Sequence, residues 1–333
     1  PDRGQYIYAD LNQDGTKDIF QYYIKGPWPS NEKGLNFYSD DGLGTYNLQA
    51  GLTQVTKNVL SDFDNNGKEE IMLISSGYDA YPFPGDSLAF FDVSSNKYHY
   101  LSSDIGYFHG GATGDINLDG NEDIVAYSGG SAIINSHPTC YINNGNYNFQ
   151  LNNSVFKNFE PDEYNFYTVE LFDLNKDGQI DLFLGGPGNQ GHGKNEVFYI
   201  QNQNGTFDIK SRISITSEDG LEPMDIAFFD FDEDGKKEIL VLNNKNSYNG
   251  FALRLYKFDG TNSNEISKDY FDKTDHSGPN DWFKWIRIFD YDGDGDLDIV
   301  GDGLFGALDP DGIQDLNENY IYWKNDSGAF KYT

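Results

Sequence analysis

Six stretches of this chain set carboxylates and amides at alternate positions and a glycine at the sixth. The first holds Asp10, Asn12, Asp14, Gly15, Thr16 and Asp18; the second holds Asp62, Asp64, Asn66, Gly67, Lys68 and Glu70. The third holds Asp115, Asn117, Asp119, Gly120, Asn121 and Asp123; the fourth holds Asp173, Asn175, Asp177, Gly178, Gln179 and Asp181. The fifth holds Asp230, Asp232, Asp234, Gly235, Lys236 and Glu238; the sixth holds Asp290, Asp292, Asp294, Gly295, Asp296 and Asp298. Their starts lie 52, 53, 58, 57 and 60 residues apart, so no degenerate copy hides between them. A dense all-oxygen donor set suits a hard cation, and calcium takes about six to eight oxygens at roughly 2.3–2.6 Å. Side chains at positions 1, 3 and 5 point inward as such a loop curls, and the glycine permits the sharp turn. Position 7 offers its carbonyl, whatever its side chain, and the carboxylate at position 9 closes the shell. The expectation is up to six structural Ca2+ ions, which would offset twelve of the 31 excess negative charges. Loops five and six carry four ligand carboxylates each and the others three, a count that ranks those two tightest.

The rival reading is the EF-hand, whose twelfth residue is a bidentate Glu on an exiting helix. Here the twelfth residues are Gln21, Leu73, Ala126, Leu184, Val241 and Gly301, and the segment after each loop reads as a strand. The EF-hand is excluded. One such loop alone would pass for an ordinary Asp/Asn/Gly turn; six in phase with a strand pattern do not.

The surrounding elements must present the loops in register. Position 2 is apolar throughout (Leu11, Phe63, Ile116, Leu174, Phe231, Tyr291), as is position 10 (Ile19, Ile71, Ile124, Leu182, Ile239, Ile299), which anchors both loop ends in a core. In the third unit one strand (111–116) enters the loop and another (123–128) leaves it. A longer connection leads to a hairpin of 139–143 and 147–151 about Asn144-Gly145, a strong hairpin signal. Four antiparallel strands repeated radially make propeller blades. The expectation is an all-β chain, a β-propeller of six four-stranded blades, or of seven if the chain is a piece of something longer. Residues 1–333 would form one domain with blades near 5–51, 55–101, 108–152, 166–209, 223–267 and 283–333. The Trp-Asp signature and shorter period of WD40 blades are absent.

The loops and the trailing Tyr-x-Asn-x-Gly-x-Phe hairpins resemble FG-GAP/VCBS repeats, over nearly the whole chain. That resemblance implies the propeller of integrin α subunits, certain lectins and many secreted or surface proteins. It implies structural calcium, and it fixes no ligand.

Composition narrows the field further. A net charge of −31 repels nucleic acid and anionic membrane, and 16% aromatic residues argue against an acidic disordered chain. Cys140 is the single cysteine, so no intramolecular disulfide exists, and its expected role is small core filler. No stretch approaches the length of a membrane span. Pro1-Asp2-Arg3-Gly4 opens directly onto a strand, which reads as a mature protein or an excised segment.

Function is expected on the other face of the blades, where the long loops are rich in aromatics. Trp28, Tyr78, Asp79, Tyr81, Tyr164 and Trp282 are the ligand-binding candidates, since aromatic faces beside polar groups suit sugar rings. Of Phe283 and Trp285, which alternate along a first strand, at least one is expected in the core. Weak catalytic candidates are His109, His137, His192, Tyr167, Lys284 and Arg287, the set a polysaccharide lyase would need. The preferred reading is a calcium-stabilised, extracellular, secreted or cell-surface module that binds a glycan. A polysaccharide lyase or other carbohydrate-active enzyme, or a protein-adhesion or scaffold propeller, are the alternatives. Millimolar extracellular calcium keeps loops of this kind filled.

Overall fold

The computed structural model describes residues 3–4, 6–25, 32–39, 42–47, 52, 55–77, 85–128, 137–159, 166–186, 196–215, 221–232, 234–245, 249–278, 283–302 and 322–332. Almost all of them are β-structure, in six antiparallel sheets built on four strands each, the blades of a six-bladed propeller. Blade one comprises Tyr6–Ala9, Asp18–Lys25, Glu32–Ser39 and Gly42–Asn47. Blade three comprises Phe108–Gly114, Asp123–Ser128, His137–Asn143 and Phe149–Leu151. Its first strand starts and ends earlier than the apolar pattern predicts, because the loop itself begins one residue after Gly114. Among the described residues three short additions lie outside the repeat: Arg3–Gly4 pairs with the first strand of blade two, Phe156–Lys157 runs parallel to Thr206–Ser214 of blade four, and Asp275–Ser277 pairs with Gly250–Phe258 of blade five.

Contacts group the chain into two compact units, Pro1–Leu184 with Val197–Arg212, and Gly185–Glu196 with Ile213–Thr333. The first holds blades one to four. Its second strands in blades two and three are buried along their whole length, because each sheet is covered on both faces by neighbouring sheets. Side chains alternate between those faces. Ile71 and Leu73 of blade two join Phe20, Leu35 and Phe37 of blade one in one cluster, whereas Met72 and Ile74 join Ile124 and Tyr141 of blade three in another. Val125, Tyr127 and Cys140 pack in turn against Val169, Leu182 and Phe207 of blade four. Cys140 is fully buried, the filler the sequence suggests.

The anchoring of the loops departs from expectation in two places. Ile19 is 42% exposed and Tyr291 45%. They belong to blades one and six. Phe283 and Trp285, of which at least one is expected in the core, are both buried.

First strands approach each other most closely. Lys57, fully buried in blade two, donates to Glu170 Oε1 at 2.5 Å and to the Val169 carbonyl at 3.1 Å, reaching past blade three to blade four. Gly110 of blade three lies so near blade four that a Cβ would sit 2.7 Å from the Tyr167 carbonyl and 2.8 Å from the Val169 nitrogen. Backbone cannot yield as a side-chain tip does. Gly110→Ala is therefore expected to cost about 2 kcal/mol or more in chemical denaturation, with an unchanged midpoint contradicting this packing.

Candidate metal centres

Each loop joins the first and second strands of its blade. In five blades the residue before position 1 pairs with position 9: Ala9 with Asp18, Ser61 with Glu70, Gly114 with Asp123, Phe229 with Glu238 and Phe289 with Asp298. A two-strand ladder thus closes the loop base, and backbone N–H groups orient the carboxylates above it. The position-6 glycine donates to the position-1 carboxylate in all six loops, at 2.8–3.0 Å. Those glycines have φ between 83° and 100°, a region where a Cβ is strained. Position 2 donates to the position-9 carboxylate, again in all six, at 2.8–3.3 Å. The other oxygen of that carboxylate accepts from the third strand, from Asn143 N–H to Asp123, Gln201 N–H to Asp181 and Asn325 N–H to Asp298.

This cradle turns the remaining oxygens toward one another. In loops two, five and six three carboxylates offer oxygens within 4.8 Å of each other: Asp62, Asp64 and Glu70; Asp230, Asp232 and Asp234; Asp290, Asp292 and Asp294. Asp230 Oδ1 is buried with no hydrogen-bond partner among the described residues. A buried carboxylate oxygen without a donor is costly, and a cation offsets that cost. The donors are oxygen only, with no His or Cys, so the set fits a hard divalent ion such as calcium.

Several supporting residues carry no signal in the loop pattern. Position 4 takes a left-handed conformation in Gln13, Asn65, Leu118, Lys176 and Gly293, with φ from 59° to 79°. Amides from one blade hold the loop of the blade before it: Asn143 Nδ2 donates to the Phe63 carbonyl at 2.8 Å, and Gln201 Nε2 to the Ile116 carbonyl at 2.9 Å. Tyr147 of blade three donates to Glu70 of loop two at 3.1 Å. Only the repeat of an Asn or Gln at the end of the third strand hinted at these contacts.

Of the residues expected on the opposite face, Trp28, Tyr78, Asp79, Tyr81, Tyr164, Trp282 and His192 lie outside the described residues, as does the side chain of His137. His109 stands in a first strand rather than in a loop, with its ring 4.7 Å from Tyr107 and 4.5 Å from Tyr167. Tyr167 is thus beside it, while Lys284 and Arg287 belong to blade six. A cleft of about 470 Å³ opens on the side of the metal loops, not on the aromatic face, between blades three and four. Asn117, Asn152, Gln179, Gln201, Gln203 and Asn204 line it together with Leu118, Val155 and Lys157, and among the described residues no carboxylate does.

A sequence model of the FG-GAP-like repeat matches residues 115–184, 173–241 and 230–301. No curated protein matches the chain in sequence. Among solved structures, the biofilm matrix protein Bap1 of V. cholerae is similar at 13% identity and a TM-score of 0.34, over 99% of this chain and 81% of that one. A likeness of that depth bears on neither ligand nor partner. Among the described residues no helix is long and apolar enough to cross a membrane.

Burial raises the pKa of the position-9 groups, to about 7 for Glu70 and Glu238 and to about 6 for Asp123 and Asp181. Each binds its proton more tightly folded than unfolded. These groups therefore stabilise the metal-free fold fully below their unfolded values, and that contribution is lost as pH rises through 6 to 7. Metal-free protein prepared by exhaustive dialysis is expected to melt at progressively lower temperature from pH 5 to pH 8. Glu70→Gln with Glu238→Gln should flatten that slope, and a metal-free melting point that climbs over this range would refute it.

Proposed function

The chain belongs to the FG-GAP-like repeat family, and on that premise we propose that it is a calcium-stabilised extracellular binding module whose ligand is a carbohydrate. The observation that supports the calcium half is the shared cradle, in which backbone N–H groups turn the carboxylates of every loop inward. The ligands would be the side chains at positions 1, 3, 5 and 9 and the carbonyl at position 7. A bound calcium supplies positive charge to groups that the fold holds together. Position 1 then stays locked to the glycine turn, and position 9 to the third strand.

The carbohydrate half rests on surface chemistry. Trp28, Tyr78, Tyr81, Tyr164 and Trp282 are residue types whose flat faces stack on sugar rings, and Asp79 is a type that meets sugar hydroxyls. The cleft between blades three and four offers amides that both donate and accept, with Lys157 as a charged residue in its lining, and such amides match sugar hydroxyl groups. A second reading, a polysaccharide lyase, draws on the contact between His109 and Tyr167, two groups able to move a proton. It would show as a rise in ultraviolet absorbance on an acidic polysaccharide, abolished in His109→Ala. Protein adhesion is the third reading, and a captured surface protein would be its sign.

The test is a panel of immobilised neutral and acidic glycans probed in calcium and after chelation. Calcium-dependent retention on one glycan class is expected. Trp28→Ala or Trp282→Ala should weaken it about tenfold if the loop face binds, and Asn204→Ala if the cleft does. Failure to retain any glycan across the panel would remove carbohydrate as the ligand.

A further inference from the structure

Positions 3 and 5 of the loops fall into two chemical types. In loops one to four one is a carboxylate and the other an amide, and the amide donates to the carboxylate. Asn12 reaches Asp14 at 2.8 Å, Asn66 reaches Asp64 at 2.8 Å, Asn117 reaches Asp119 at 3.0 Å and Asn175 reaches Asp177 at 3.1 Å. In loops five and six both positions are aspartate, so no such bond can form and two like charges face each other.

A lysine stands where the amide bond is missing. Lys257 Nζ lies 2.6 Å from Asp232, 3.6 Å from Asp234 and 3.8 Å from Glu238. Lys324 Nζ binds Asp292 and lies 2.9 Å from Asp294. Both occupy one register position, the residue after the third-strand partner of position 10: Tyr256 pairs with Ile239, and Trp323 with Ile299. In blades one, two and three that position holds Ser39, Asp92 and Ile142. The fourth carboxylate and the lysine come together, in the same two blades. With the lysine counted, the ligand groups of loops five and six return to the net charge of the other four. Both lysine loops fall in the second compact unit.

We propose that Lys257 and Lys324 are tethered cations of loops five and six, and that these loops take calcium only in exchange for the ammonium. This rests on the calcium reading above and reverses the ranking that carboxylate count suggests. The ammonium is a single charge with three donors and cannot reach every oxygen of the set; Asp230 Oδ1 is left without a partner among the described residues. Calcium can therefore still displace it, at a cost that loops one to four do not bear. The chain then has four retained ions and two exchangeable ones.

Calorimetric titration of the intact, metal-free chain with calcium chloride at neutral pH tests this. Two classes are expected, four tight sites and two weak. Lys257→Met with Lys324→Met should tighten the weak class about fivefold or more, whereas Lys257→Arg with Lys324→Arg should leave it weak. Both lysine side chains are about one-third exposed, so methionine fits; circular dichroism checks the fold, and Lys324→Met alone, tightening one site, serves if the double variant fails. Six equivalent sites, or a weak class unmoved by methionine, would overturn the exchange while leaving structural calcium standing. No binding at all would overturn both.

Discussion

Every blade turns on one buried carboxylate. The acid at position 9 accepts from the N–H of position 2, where the first strand leaves the sheet, and its own backbone opens the second strand. In blades three, four and six its other oxygen takes an N–H from the third strand. One side chain thus fixes the crossing of three strands. The group is negatively charged and removed from water, and burial of that kind is tolerated only where donors or a cation compensate. The raised pKa of Glu70, Glu238, Asp123 and Asp181 is the same cost seen from the proton's side. The loop above each of these acids gathers further carboxylates; in loop five Lys257 meets part of that charge, and the remaining excess makes sense if compensating charge comes from outside the chain.

The fold was legible because its chemistry is local and repeated. Nine consecutive residues specify each loop: the glycine turn, the alternating oxygens and the apolar residues at positions 2 and 10. Six copies at near-constant spacing imply six copies of whatever holds them, and the hairpin signals complete a four-stranded blade. Blade count and sheet class follow from that repetition.

The rest of the site depends on residues that meet only in three dimensions. Asn143 holds a carbonyl 80 positions earlier, and Lys324 binds an aspartate 32 positions earlier. Neither pairing has a spacing that a linear pattern could reveal. The left-handed turn at position 4 was hidden for another reason: Gln13, Leu118 and Lys176 are not residue types that announce it, and the loop's hydrogen bonds impose it. Ile19 and Tyr291 fit the apolar pattern and are nevertheless half-exposed. His109 reads as a loop histidine but stands in a first strand, packed among tyrosines.

If calcium is the missing positive charge, thermal unfolding of the intact chain must show it. Metal-free protein would be melted at neutral pH alone, with magnesium and with millimolar calcium. Ligands that bind only the native state raise its stability by mass action at each site, so calcium is predicted to raise the midpoint by about ten degrees or more, and magnesium by far less. Superimposable curves in all three conditions would mean that the carboxylates are compensated without an ion, and structural calcium would be contradicted.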